Sequence, residues 1–274
     1  CGTQTAALSC TGNPYAVTTF EYDGTDWTAG GNHPTANEMS GQLTGTQTAA
    51  VGKTGILPGS VSPRVGAKSA EYNGTSWSDG EDANTNRARG GMAGTQTASF
   101  AVGGISDLPV GDNRTNATEE YDGTNWATGN AGTTARDQVW ASGTLTAGLW
   151  VGGAVPPGDV ASNATEEYDG TNWTAGGNLP AAKYSGSVTG TQTASIHAGG
   201  ATSPPRTIRS TSENYDGSSW SAYPALGAAR YNHGAAGADG SSAVVWGGSS
   251  GSYVNTTEEF TDSGATVRTV DTST

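Results

Sequence analysis

Apolar residues along this chain come in short runs separated by small polar ones, and nowhere do they recur at i, i+3, i+4 and i+7 over three turns. Gly, Thr and Ser interrupt every candidate helix, so the pattern predicts short strands and turns throughout. The strand pattern repeats. GTQTA begins at Gly2, Gly45, Gly94 and Gly190, with GTLTA at Gly143, and an apolar run follows each copy. In these runs Leu8, Val51, Phe100, Leu149, Ile196 and Val244 fall on one alternating face. Four of the runs end in Gly-Gly (Gly103-Gly104, Gly152-Gly153, Gly199-Gly200, Gly247-Gly248); the first two end in Thr-Gly, at Thr11-Gly12 and Thr54-Gly55.

A second motif keeps step with the first. EYDGTDW ends at Trp27, EYNGTSW at Trp77, EYDGTNW at Trp126 and Trp173, and ENYDGSSW at Trp220, with a worn copy, EEFTDSG, around Phe260. The pairs Tyr22 and Trp27, Tyr72 and Trp77, Tyr121 and Trp126, Tyr168 and Trp173, Tyr215 and Trp220 are thus the structural signature of five copies. Each copy reads as four strands. Strand a follows a basic column (Arg87, Arg136, Lys183, Arg230, with Glu38 in that place in the first copy) and ends at the GTQ turn. Strand b is the run ending in Gly, strand c ends at Glu-Tyr, and strand d begins at Trp. Asp-Gly between c and d makes a tight hairpin because both residues tolerate positive φ. Four antiparallel strands in each period of about 45–50 residues predict an all-β, six-bladed β-propeller spanning residues 1–274 as one domain. The chain opens at GTQTA, so the first blade is expected to be incomplete: three-stranded, or completed by sequence ahead of Cys1. A seventh blade upstream stays open. Strand d of the last blade is expected near Val267 to Val270.

Composition sharpens this reading. Leu, Ile, Val and Phe together number 31, which would be too few for an ordinary core, but eight Trp, ten Tyr and 43 Gly allow closely approaching sheets wedged by aromatic rings. The formal charge of −13 argues against nucleic acid or an anionic membrane surface as partner, and no apolar run is long enough to span a bilayer.

Small apolar strands ending in Gly-Gly, then Tyr, then Trp about five residues later, resemble the kelch repeat, the unit of galactose-oxidase-like propellers. The wording GTQTA followed by EYDGTxW also resembles repeat proteins of marine bacteriophages. That resemblance implies a module on a virion surface, as a tail fibre or capsid-attached appendage, contacting other virion proteins and a host cell-surface glycan or protein, with homo-oligomerisation possible through flanking sequence. The alternative is a secreted or cell-surface lectin stacking sugars on Trp or Tyr between blades.

In propeller topology the a–b and c–d turns share one face and the b–c and d–a loops the other. The turns are monotonous, whereas the b–c loops differ in every copy and, with the d–a loops, hold all eleven prolines. Pro14, Pro58, Pro63, Pro109, Pro156, Pro157, Pro204 and Pro205 fall in b–c loops, and Pro34, Pro180 and Pro224 in d–a loops. Arg64, Arg114, Arg206, Arg209 and Tyr253, all in b–c loops, are the candidate ligand-binding residues.

No catalytic residue, cofactor or metal site is expected. His33 and His233 are expected to be solvated and His197 to be a tolerated core residue; no two share a zinc-like spacing. Cys1 and Cys10 should sit at opposite ends of a strand, beyond disulfide reach, and the copper ligands implied by a galactose oxidase resemblance have no counterpart. The Asp row (Asp23, Asp122, Asp169, Asp216) lacks the alternating ligands of a calcium loop and reads as turn residues. Glu119-Glu120, Glu166-Glu167 and Glu258-Glu259 recur in blade after blade, and adjacent strand residues point to opposite faces, which argues against a glycosidase pair. The basic column is expected to form inter-blade ion pairs with these glutamates, or else a ring of cations holding an anion.

Overall fold

In the computed structural model the described residues are 1–10, 12, 15–38, 42–59, 64–107, 113–260 and 268–270. They form six four-stranded antiparallel sheets arranged as a ring, a six-bladed β-propeller, with no helix among them. Blade 3 shows the plan: strand a Gly91–Thr95, b Ala98–Val102, c Thr118–Tyr121 and d Trp126–Gly129, paired in sequence order. The first strands of successive blades lie side by side around a central channel, and that of blade 6 (Gly234–Asp239) meets that of blade 1.

Blade 1 corrects one expectation. It has four strands, but the innermost, Gly2–Thr3, is only two residues long against four to six elsewhere. The last strand d runs Arg268–Val270; Val267, like Thr11, Pro14, Pro63 and Pro109, lies outside the described residues.

Side chains sew each blade to the one before it. Tyrosine hydroxyls at the ends of strands c donate to the glutamate just before the strand-c tyrosine of the preceding blade: Tyr72 to Glu21 (2.5 Å), Tyr121 to Glu71 (2.7 Å), Tyr168 to Glu120 and Tyr215 to Glu167 (2.5 Å). The paired tryptophan donates its indole N–H to a hydroxyl of that same preceding strand, as Trp173 does to Thr118 and Trp220 to Thr165, each at 2.9 Å. Each Tyr and its Trp lie ring against ring within their own blade, with centroids 4.7–5.1 Å apart. The GTQ glutamines add a third stitch: Gln96 donates to the Ala50 and Tyr72 carbonyls and Gln192 to those of Gly148 and Tyr168. All five tyrosines are buried, so large aromatic area and satisfied polar tips stand in for the missing aliphatic core.

The Gly-Gly pairs turn the chain out of strand b with both residues at positive φ, for instance +67° and +96° at Gly103 and Gly104. A Cβ on Gly104 would lie 2.4 Å from the Ala88 carbonyl oxygen, which fixes glycine there on two counts.

Candidate functional site

The basic column is a set of buried struts. Arg87, Arg136, Lys183 and Arg230 approach Glu119 (3.1 Å), Glu166 (2.6 Å), Glu213 (2.7 Å) and Glu258 respectively, and all four cations are at most 1% exposed. The pairs form inside one blade and not between blades as expected, because the crossing segment carrying each cation folds over its own strand c. The inter-blade link is made by the same residue's backbone: the second glycine of the preceding blade donates to it, as Gly104 N does to the Arg136 carbonyl (2.7 Å). The arginine Nη1 atoms also donate to carbonyls, Arg136 to Gly152 (2.8 Å) and Ala164 (2.9 Å). These cations are committed to protein partners, so they do not make an anion ring. In blade 2 the column position belongs to Asn37, because it is the next residue, Glu38, that bridges to Ile56 as Ala88, the residue after Arg87, bridges to Ile105. The matching acid is also gone there: Ala70 stands where Glu119 stands in blade 3.

The histidines are similarly occupied. His33 and His233 are buried at 3% and 1% exposure, not solvated. His33 packs edge-on against Trp77, and His233 shares a 2.7 Å hydrogen bond with Ser187. Burial, and then the nearby Arg230, hold the His233 imidazole down to about 3. His197 is buried against Glu213 at 3.2 Å. Burial raises the Glu213 carboxyl, but His197 and Lys183 outweigh it and bring the group down to about 2. Cys1 and Cys10 are not at opposite ends of a strand: the hairpin folds Cys1 back onto Leu8, with backbone hydrogen bonds of 2.8 and 3.0 Å, the two form no disulfide, and Cys10 Sγ accepts from the Thr19 hydroxyl (3.4 Å). The turn aspartates accept backbone N–H groups two and three residues on, Asp122 from Thr124 (2.8 Å) and Asn125 (2.7 Å), which is the turn role expected of them. Among the described residues no group of three or more His, Cys, Asp or Glu side chains converges as a metal site would need.

On the opposite face the described parts of the b–c loops of blades 2 to 6 are hydrogen-bonded to themselves or to the crossing segments. In blades 4 and 5 they contain two-stranded sheets, Ala154–Val155 with Val160–Ala161 and Ala201–Thr202 with Thr207–Ile208. In blades 2 to 6 the outgoing limb also bridges to the crossing segment, as Ile105 does to Ala88 and Ser249 to Tyr231. Of the candidate ligand residues, Arg114 is consumed by these supports: it ion-pairs with Asp137 (2.6 Å) and Asp159 across the blade 3–4 seam and is 6% exposed. Arg64 donates to the Tyr15 hydroxyl at 3.0 Å. Arg206 is exposed and lies over the Tyr231 ring, 4.1 Å from its centroid. Arg209 and Tyr253 are exposed, the latter at 74%.

The feature that sequence reasoning missed is the channel mouth on this loop face. It opens a cavity of about 590 Å³ that Tyr253 borders. Arg89, Gln138, Ser185 and Asn232 border it too, at one repeated position two residues after the column cation. All four adopt left-handed backbone, with φ of 58°, 54°, 56° and 53°. That is uncommon for non-glycine residues and persists only where the surroundings enforce it. Their backbones are chained blade to blade: Ser185 N donates to the Gln138 carbonyl (2.9 Å) and Asn232 N to that of Ser185 (2.8 Å). The Ser185 hydroxyl donates to Gln138 Oε1 (2.9 Å). The available sequence signal was a place that changes to Arg, Gln, Ser and Asn inside an otherwise monotonous repeat.

No protein-family model matches this chain, and no curated protein does. A solved structure described as that of YjhT is similar in fold, with a TM-score of 0.78 over 97% of this chain and 95% of that one, at 14% sequence identity. At that identity the likeness establishes the propeller architecture.

Proposed function

We propose that this protein is a non-catalytic recognition module carried on a bacteriophage virion, binding a host-surface glycan or protein through its b–c and d–a loop face. The kelch-like and phage-like wording of its repeats supplies the expected setting. The observation that carries the binding role is the contrast between the two faces. One consists of nearly identical turns locked by their own aspartates. The other holds divergent loops stiffened into ribbons around a polar-lipped opening, and a stiffened loop loses less freedom when it binds. The ion pairs and tyrosine–glutamate bonds explain the recurring charged residues as architecture, leaving Arg206, Arg209 and Tyr253 as exposed contacts.

A lectin that stacks sugars on the repeated Tyr–Trp pairs draws less support, because those tyrosines are at most 2% exposed and three of the tryptophans are at most 8%. The test is adsorption of the labelled protein to a panel of marine bacterial isolates, comparing it with the triple variant Arg206→Ala, Arg209→Ala, Tyr253→Ala. Loss of binding with the melting temperature unchanged is expected; undiminished binding rejects the loop face as the contact surface.

A further inference from the structure

We propose that Asn73 is a site of spontaneous deamidation: in the folded protein its side-chain amide is lost, and blade 2 acquires the aspartate that its neighbours carry. The site lies on the turn face, so this goes beyond the loop-face reading and stands apart from it. The c–d turn reads Asp-Gly in blades 1, 3, 4 and 5, at Asp23, Asp122, Asp169 and Asp216, but Asn-Gly in blade 2. No other Asn-Gly occurs in the sequence. The fold dictates the glycine: Gly74 has a φ of +88°, and a Cβ there would lie 3.2 Å from the Thr48 Cβ. No side chain therefore shields the nitrogen next to the Asn73 amide. Asn73 is exposed, and the Gly74 N–H makes no hydrogen bond among the described residues. The Asn73 carbonyl, by contrast, is held: Oδ1 accepts from Thr75 N (3.0 Å) and Ser76 N (2.9 Å). These two donors draw electrons from Cγ and face the oxygen on which charge develops when Cγ is attacked, as the donors of an oxyanion hole do.

The step is intramolecular. The Gly74 nitrogen gives its proton to a base in solution and bonds to Cγ; the Cγ–Nδ2 bond breaks, and ammonia leaves with a proton from water. The cyclic imide then takes up one water. Opening between Cγ and the Gly74 nitrogen gives aspartate at position 73. Opening at the main-chain carbonyl gives isoaspartate, with the backbone routed through Cβ and Cγ. The net change is one water in and one ammonia out. The fold discriminates between the two products. Asp23, Asp122, Asp169 and Asp216 each accept N–H groups two and three residues on, at 2.7–2.8 Å, in the same turn. Aspartate at position 73 inherits those bonds unchanged. Isoaspartate adds a backbone atom and shortens the side chain, so it forfeits them, and the turn favours the normal isomer.

The test holds the intact, folded chain in mildly alkaline buffer and follows it by peptide mapping and mass spectrometry, with Asn73→Asp as the product standard. Asn73 should lose its amide at least about tenfold faster than Asn125, which is also exposed in a c–d turn but is followed by Trp126. The main product should coelute with the Asn73→Asp peptide, with isoaspartate the minor form. The Asn73→Asp variant should melt at the wild-type temperature, because the turn already takes aspartate in four other blades. An Asn73 amide that lasts as long as that of Asn125 overturns the proposal. So does isoaspartate as the main product, or a melting temperature lowered by Asn73→Asp.

Discussion

Tyr22 of the first blade donates its hydroxyl to Glu259 of the sixth at 3.0 Å, so the ring closes with the same bond that joins the blades within it. Trp27 to Thr257 (3.0 Å) and Gln4 to the Phe260 carbonyl (2.8 Å) complete the set at that seam. Closure therefore relies on side chains presented by both ends of the chain rather than on an exchanged strand.

The one seam without a tyrosine–glutamate bond has changed on both sides. Blade 6 carries Phe260 where the others carry Tyr, and blade 5 carries Asn214 where its neighbours carry Glu167 and Glu259. Asn214 donates instead to the Gly240 carbonyl at 2.5 Å. A carboxylate there would have no hydroxyl to accept from. Asn214→Glu alone should destabilise the fold, since it loses the Gly240 bond and finds no hydroxyl, and adding Phe260→Tyr should recover about 1 kcal/mol, the net worth of one hydrogen bond. A double-mutant cycle by denaturant unfolding measures the coupling; strict additivity would show that the pair does not interact.

The basic column makes the same point with larger stakes. Arg136→Met alone should cost about 3–5 kcal/mol, because Glu166 is left charged and buried. Adding Glu166→Leu should recover most of that loss. Blade 2 already lacks both partners, with Asn37 and Ala70 in their places. Unfolding midpoints of the two single variants and the double variant test this, and a double variant no better than Arg136→Met would contradict it.

The repeat, its six copies and its strand order were legible because two motifs of fixed spacing each report a geometric necessity: glycines at positive φ, and an aromatic pair bridging blades. The identity of the bonds was less legible. Adjacent Glu residues on one strand, such as Glu119 and Glu120, were recognised as structural, but strand alternation could not say that one meets its own blade's cation and the other the next blade's tyrosine. The register of the column slipped by one at Glu38 because its local sequence lacks the cation that marks the position. His33 and His233 looked solvated because they lie near crossing segments, yet those segments are folded under the loop ribbons. The channel mouth was not legible at all, since convergence of residues about 47 apart requires the ring to be closed first. Arg114 shows the reverse failure: a loop arginine that reads as a ligand contact is taken up by Asp137 and Asp159.

At low pH the fold should weaken in two overlapping steps. The His233 imidazole is held down from 6.5 to about 3 by burial and then Arg230. Below its unfolded value the unfolded chain binds the proton first, so the contribution of His233 is complete above pH 6.5 and is lost as pH falls through 3. Glu213, brought down from 4.5 to about 2 by His197 and Lys183 against its burial, contributes fully above 4.5 and loses that contribution as pH falls through 2. His233→Gln, which keeps a hydrogen-bonding partner for Ser187, should reduce the slope between pH 6.5 and 4.5, a window that His33 and His197, also held down by burial, share. A slope unchanged by that substitution would assign the loss to groups other than His233.

Lys53 predicts the opposite behaviour on the alkaline side. It sits at the end of strand b in blade 2, fully buried, where the other blades carry Cys10, Val102, Val151, Ala198 and Trp246. Its Nζ donates to the carbonyls of Gly66 (3.2 Å) and Thr85 (2.9 Å), and among the described residues no carboxylate forms an ion pair with it. Burial first, and then the nearby Arg87, bring the ammonium down from 10.5 to about 7, with Glu119 and Asp82 opposing. Between those two values the unfolded chain holds a proton that the folded one has released, so stability should rise as pH increases from 7 toward 10. Above 10 the tyrosines reverse the trend. Burial and then their glutamate partners raise Tyr72 and Tyr215 to about 12, so the unfolded chain ionises first and stability falls as pH climbs through 12. Unfolding free energy measured from pH 7 to 11 should accordingly pass through a maximum near 10. Lys53→Met, of similar length and without the amine, should flatten the rising limb while leaving the falling limb intact. A rising limb that survives the substitution would mean that another group carries it.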